Sequence, residues 1–186
     1  MVDELYEGVV DSVDLFNKSG RDFLSESLSF FVSPTTVVRE EFDRDNAFAL
    51  VPGNHSGFSL TKDRSIVSGL PGSVVTGAVT ISSDFAMLSG LHFSGSDLLV
   101  DIRARSTVFF RDCIFEMSGT ALSVAVAVAS GGRAIFSSCA FLPALGGGTG
   151  NPIDNAGAAA NVIVVCGANL TGRAHSSVTV VTTELT

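Results

Sequence analysis

The stretch TVFFRDCIFEMSG, residues 107–119, carries the pattern that decides the fold. It contains two pairs of apolar residues, each spaced by two positions, as are side chains on one side of a strand. The four residues are Val108, Phe110, Cys113 and Phe115. Between the pairs the spacing is three, so one additional residue at Arg111-Asp112 turns the chain while both pairs face one interior. The stretch therefore predicts two short strands joined by a tight corner.

Three other segments repeat this pattern: residues 85–95, 133–144 and 161–172. When the four segments are aligned, every interior position is apolar, and the steps between successive segments are the same in all four columns. The columns are Ala86, Val108, Ala134 and Ile163; Leu88, Phe110, Phe136 and Val165; Leu91, Cys113, Cys139 and Ala168; and Phe93, Phe115, Phe141 and Leu170. Such a repeat is typical of a solenoid, whose units bury their apolar faces only against their neighbours.

A further alternating strand precedes two of these segments and gives each unit three strands and two turns. Its matched residues are Leu98, Val100 and Ile102 in one unit and Val124, Val126 and Val128 in the next. The sequence therefore predicts an all-β chain folded as a short right-handed parallel β-helix of about four coils, with strands ~4.8 Å above those of the coil below. A β-sandwich or jelly roll with chance matches is the alternative, because apolar alternation is common.

Charge divides the chain into two regions. Residues 1–64 carry 18 charged side chains, whereas residues 65–186 carry 12. In the first region an apolar pattern of helical period predicts a short helix, and Phe48 to Val51 and Phe58 to Leu60 are typical of short strands. The helical pattern consists of Leu5, Val9, Val13 and Phe16. We therefore expect an N-terminal arm or cap over residues 1–64 and a β-helix domain over residues 65–186.

The strand count, coil length and two-residue corner resemble those of the pectin-lyase-like β-helix superfamily, over roughly residues 73–172. The resemblance is one of architecture and carries no diagnostic motif. It implies that a carbohydrate-cleaving site must be considered, since the superfamily includes polysaccharide lyases and glycosidases.

Paired carboxylates are the first requirement of a glycosidase, at a separation of roughly 5–10 Å. Asp101 and Asp112 lie on neighbouring strands of one predicted coil, but the chain has no Trp and a single Tyr to line a sugar groove. The cluster of Asp101, Arg103 and Arg111 is more simply an ion-paired, solvated face. The sequence therefore predicts no catalytic residue, no cofactor-binding residue and no enzymatic activity.

Cysteine and histidine residues do not form a metal-binding pattern. The three histidines are scattered, and no C-x-x-C is present. Cys113 and Cys139 share one interior column and are expected to pack as small hydrophobes, although a disulfide between them is geometrically possible. We therefore predict no metal site.

The composition limits the possible partners. The net charge of −8 and the lack of a basic run argue against nucleic acid, and no stretch of ~18 apolar residues predicts a membrane span. The N-terminus MVDELYEGVV does not resemble a secretory signal, so we expect synthesis in the cytoplasm without signal-directed secretion.

Apolar residues also occupy outward positions of the predicted strands, where a solvated face would carry polar ones. The predicted oligomer interface consists of Met87, Phe109, Ile135 and Val164 on the middle strands, with Ala125 and Ala127 on another. Identical chains that pack in a closed ring would cover this stripe. The alternative is that the amphipathic N-terminal segment folds back over it.

Function follows only by analogy, because a fold does not determine one. Short, acidic, apolar β-helices resemble virion proteins of tailed bacteriophages, of the capsid cement or decoration type. The resemblance implies a homotrimer located in the virion that contacts the major capsid protein and stabilises the shell without chemistry. The alternatives are a tail-spike or fibre component that binds or cleaves host polysaccharide, and a cellular β-helix module of a bacterial surface system.

Overall fold

The structure is a computed structural model that describes residues 31–32, 47–118, 124–142, 152–158, 161–165 and 179–181. Within these residues the chain forms short β-strands. In chain order they are β1 (Phe31–Val32), β2 (Ala47–Leu50), β3 (Gly53–His55), β4 (Ser59–Leu60), β5 (Ser65–Gly69), β6 (Ser73–Val75), β7 (Val79–Ile81), β8 (Phe85–Ser89), β9 (His92–Gly95), β10 (Val100–Ile102), β11 (Thr107–Arg111), β12 (Ile114–Met117), β13 (Val126–Val128), β14 (Arg133–Ser137), β15 (Ala140–Leu142), β16 (Ile153–Asn155), β17 (Val162–Val165) and β18 (Thr179–Val181).

These strands form three sheets in which the paired strands run parallel. Sheet A has the order β1-β2-β5-β8-β11-β14-β17-β18, sheet B has the order β3-β6-β9-β12-β15, and sheet C has the order β4-β7-β10-β13-β16. From β2 to β16 the chain visits sheets A, B and C in turn, so each strand pairs with the strand one winding above or below. The predicted all-β fold and parallel β-helix are confirmed, and the four predicted coils are among its windings.

The windings begin further upstream than the sequence pattern indicated. The four predicted units start at β8, β11, β14 and β17, but two further windings start at β2 and β5. The strands predicted near Phe48 and Leu60 are confirmed as β2 and β4, which hydrogen-bond into sheets A and C. Residues 47–60 therefore belong to the β-helix, although the charge pattern placed them in the arm. The helix predicted over residues 5–16 lies outside the described residues.

The predicted corner between sheets A and B depends on one residue in a left-handed backbone conformation. Gly90, Asp112 and Ser138 occupy this position in successive windings, with φ of 62°, 52° and 53°. The corners also hydrogen-bond to each other, since Gly90 N donates to Arg111 O at 2.9 Å and Asp112 N donates to Ser137 O at 3.0 Å. Gly, Asp and Asn adopt this region most easily, and Ser138 adopts it in the third winding. This one additional residue turns the chain from sheet A into sheet B and leaves both strands regular.

Stacked aromatic rings fill the interior of the β-helix. Phe93, Phe115 and Phe141 form one column, with ring centroids 5.1 Å and then 4.8 Å apart and nearly parallel planes. The side chains of this column are buried. Each ring covers the ring below, so each winding supplies the apolar surface that buries its neighbour.

The register of the last winding differs from the prediction by one position. Ala134 pairs with Val162 rather than with Ile163, and Val162 and Val164 are both buried. The step from the third to the fourth unit is therefore shorter by one position than the aligned segments indicated. Residues 162–165 are all apolar, so the alternation that identifies the inward side is missing there and the sequence does not fix the register. The matched positions Ala168 and Leu170 lie outside the described residues.

Candidate interaction surface

The outward face of sheet A carries one column of apolar side chains that crosses six windings. The parallel register places one member on each of β2, β5, β8, β11, β14 and β17. The members are Ala47, Ile66, Met87, Phe109, Ile135 and Ile163. We call this set the sheet A column. Because the strands of a winding are ~4.8 Å from the next, the column forms one continuous ridge.

The sheet A column is accessible in the single chain. Ile66 and Phe109 are exposed, and Met87, Ile135 and Ile163 are partly exposed. Phe85 widens the ridge, since its ring centroid lies 5.6 Å from that of Phe109. An exposed apolar ridge of this kind is a candidate interaction site.

Three of the six residues predicted for the interface occupy this column: Met87, Phe109 and Ile135. Val164 does not, because the difference in register turns it into the core, where it is 2% exposed. Ile163 takes the outward position in its place. The interface itself stays a prediction.

The two predicted alanines lie elsewhere. Ala125 is fully buried because Leu99 and Ala125 precede β10 and β13, where the chain bends into sheet C and two consecutive residues point inward. The strict alternation assumed for residues 124–128 is therefore wrong at its start. Ala127 is outward and partly exposed, but it belongs to sheet C and not to the sheet A column.

Sheet B presents a second set of outward apolar residues, which the sequence analysis missed. Ile114 on β12 and Leu142 on β15 are both exposed. Between the strands of this face, the Nε2 atom of His92 lies 2.8 Å from a carboxylate oxygen of Glu116. The sequence already indicated that Ile114 points outward, since it lies between the inward residues Cys113 and Phe115 of an alternating strand.

Sheet C presents polar side chains. Its outward column is Ser59, Thr80, Asp101, Ala127 and Asp154. The Asp101 carboxylate lies 2.8 Å from the Arg103 guanidinium, as predicted. Arg111, the third member of the predicted ion-paired cluster, lies on sheet A instead.

The two carboxylates considered for catalysis are not brought together. Asp101 lies on sheet C, whereas Asp112 lies at the corner between sheets A and B and contacts Arg111 at 3.3 Å. Neighbouring strands of one winding belong to different faces of the β-helix, so adjacency along the chain does not give a shared groove.

Cys113 and Cys139 are free thiols in the interior column predicted for them, and both are fully buried. The Cys113 Sγ donates to the carbonyl oxygen of Leu88 at 3.4 Å. Its hydrogen bond with Cys139, together with burial, raises the pKa of the Cys113 thiol far above its ordinary value. The thiols therefore act as packing groups, and the neutral form of Cys113 is strongly favoured in the folded state.

Metal clusters and membrane-spanning helices are two further classes of feature that bear on function. Within the described ranges, no group of three or more His, Cys, Asp or Glu side chains is placed to hold a metal ion. No helix in the described part of the chain is long and apolar enough to cross a membrane.

Comparison of the chain with protein-family models, with curated proteins and with solved structures finds no match. The surfaces of the β-helix are therefore the features that bear on its function.

Proposed function

We propose that this chain is a structural protein that acts through protein–protein contact, and that copies of the chain assemble with the sheet A column buried between them. The supporting observation is the column itself: six outward apolar residues in register across six windings. All six positions are apolar, whereas a neighbouring outward column of sheet A consists of Ser89, Arg111 and Ser137. Burial of apolar area contributes about 25 cal/mol per Å², so this ridge favours association.

The more specific proposal is a capsid cement or decoration protein that forms a homotrimer and contacts the major capsid protein of a tailed bacteriophage. It depends on the likeness of short, acidic, apolar β-helices to virion proteins. The net charge of −8 keeps such a protein soluble before assembly. Its mechanism is added interface area between neighbouring capsid subunits, which raises the energy needed to separate them.

Light scattering on the purified protein tests the general proposal. The expected result is the mass of three chains of 19.2 kDa each. A mass of one chain at every concentration would contradict self-association.

The capsid proposal has its own experiment. The protein is added to undecorated capsids assembled from the major capsid protein of the same genome, and their melting is followed by calorimetry. Cosedimentation and a higher melting temperature are expected. Capsids that neither bind the protein nor melt later would refute the capsid role while leaving self-association intact.

A second function, binding or cleavage of host polysaccharide as in a tail spike, has one observation in its favour. Asp101 and Asp154 lie on either side of Ala127 in sheet C, which places their Cα atoms roughly 9.6 Å apart by strand spacing. Inverting glycosidases hold their two carboxyl groups roughly 6.5–9.5 Å apart, a separation that side chains on strands at this spacing can reach. Incubation with capsular polysaccharide tests it: new reducing or unsaturated ends that disappear in Asp154→Asn would favour this function over the structural one.

A further inference from the structure

The exposed large hydrophobic residues of the described chain are confined to two of the three faces and the corner between them. Five large hydrophobic side chains are 37–40% exposed, namely Ile66, Leu70, Phe109, Ile114 and Leu142. Ile66 and Phe109 lie on sheet A, Ile114 and Leu142 lie on sheet B, and Leu70 lies at the corner between these sheets. Sheet C contributes none of them. The apolar surface therefore wraps around the edge that sheets A and B share.

The two apolar faces carry charges of opposite sign. In the described strands of sheet A, the charged outward residues are Arg111 and Arg133. In those of sheet B the charged outward group is Glu116, beside His92. Opposite charges on two apolar surfaces favour contact between them and disfavour contact of either face with itself.

Symmetry requires two different surfaces for the assembly proposed above. A face that packs against itself closes a twofold dimer, whereas a ring of three copies needs one patch to meet a different patch on the next copy. Sheet B supplies this second patch. Its large apolar side chains, Ile114 and Leu142, can pack on the apolar residues of sheet A, and Glu116 is opposite in charge to the arginines of sheet A.

We infer that sheet A of one copy packs against sheet B of the next copy, with the shared A–B edge buried and sheet C facing solvent. This inference rests on the proposed self-association and specifies its partner surface. Phe109 and Ile135 of one copy then cover Ile114 and Leu142 of the next. Arg133 of the first copy approaches Glu116 of the second. Each copy uses both faces, so the ring leaves neither apolar face exposed.

Site-specific photo-crosslinking tests the inference. Phe109 is replaced by p-benzoylphenylalanine, which keeps an aromatic ring at this outward position, and ¹⁴N-labelled and ¹⁵N-labelled chains are mixed so that links between copies can be identified. After irradiation, mass spectrometry is expected to find links between copies from position 109 to sheet B peptides that contain Ile114 or Leu142. The same probe at Thr80 on sheet C serves as the control and is expected to give no links between copies.

The other outcomes separate the inference from the proposed function. Links between copies from position 109 to Met87 or Ile135 would show a sheet A to sheet A contact, which overturns the inference while self-association stands. Links to residues 1–46 within one chain, with the mass of a monomer, would show that the N-terminal region covers the column and would overturn both.

Charge reversal gives an independent measurement on the same assembly. Arg133→Glu and Glu116→Lys are each expected to weaken association at least tenfold, because like charges then face one another across the contact. The double variant is expected to recover most of the affinity. If the two losses of affinity simply add in the double variant, the A–B contact is contradicted. The control is Asp154→Lys on sheet C, which is expected to leave association unchanged.

Discussion

Phe110 and Phe136 stack inside the β-helix with ring centroids 4.8 Å apart and planes inclined by 5°, although they belong to different windings of the chain. The pairing of β11 with β14 places them directly over one another. Phe109, the preceding residue, points to the opposite side of the same strand and is exposed. Of these two adjacent phenylalanines, Phe110 thus lies in the core and Phe109 in the sheet A column.

This contrast gives a matched pair of variants for stability. Phe110→Ala is expected to lower the free energy of unfolding by about 3–5 kcal/mol, because it removes stacked contacts and leaves a cavity. Phe109→Ala is expected to cost less than about 1 kcal/mol in the isolated chain, as substitutions of exposed residues do. Urea denaturation followed by circular dichroism, at a protein concentration low enough to avoid assembly, measures both. Equal losses would contradict the assignment of the two sides.

The corner at Asp112 gives a second prediction. Asp112→Val is expected to destabilise the chain by about 1–3 kcal/mol, because a β-branched residue at φ 52° is strained. Asp112→Asn keeps a residue that tolerates this conformation and serves as the control, with a change below about 0.5 kcal/mol. The exposed contact with Arg111 is lost or weakened in both variants and contributes little. If the Asp112→Val and Asp112→Asn variants have the same melting temperature, the left-handed backbone conformation is not what determines this corner.

The Cys113 thiol predicts a loss of stability at alkaline pH. Its pKa is raised in the folded state, so above the unfolded pKa of about 8.5 the unfolded chain releases a proton that the folded chain retains. The unfolded state is then favoured progressively, by up to about 1.4 kcal/mol per pH unit for one group. Below that pH the contribution is fully present.

Cys139 shares the hydrogen bond with Cys113, and this bond lowers the pKa of the Cys139 thiol, so the two thiols titrate as a pair. The measurement is the free energy of unfolding at pH 7 and pH 10 for the wild type and for Cys113→Ala/Cys139→Ala. The double variant removes both titrating groups, so its free energy of unfolding is expected to fall less over this range. The double variant is itself destabilising at both pH values, and only the difference between the two slopes is informative. Parallel pH profiles would show that the thiols ionise equally in both states.

The repeat was predictable from the sequence wherever the interior positions of a winding are all apolar, because the pattern then recurs along the chain. Residues 85–142 satisfy this, and their pairing follows the predicted columns, as in the alignment of Val108 with Ala134. The upstream windings were missed because polar residues occupy some of their interior positions. His55 lies in the column of Phe93, and Ser65 lies in the column of Ala86. Both are buried, and their polarity interrupted the apolar pattern.

The candidate surface was predictable only where alternation was intact. Met87, Phe109 and Ile135 each lie between two inward residues of a strand, so their outward direction followed directly. In residues 162–165 every position is apolar, and the choice between Ile163 and Val164 depends on how the last winding stacks on β14. Which of the two residues points outward is thus set by tertiary pairing with the preceding winding and not by the local sequence.

The proposed assembly through the sheet A column is tested most directly by sedimentation equilibrium on the wild type and on Phe109→Ser/Ile135→Ser. The control variant is Thr80→Ser/Ala127→Ser, which places serine at two outward positions of sheet C. A three-chain mass is expected for the wild type and the control, and a single-chain mass for the sheet A variant with an unchanged circular dichroism spectrum. A wild type that sediments as one chain at all concentrations, or a sheet A variant that assembles as fully as the wild type, would contradict it.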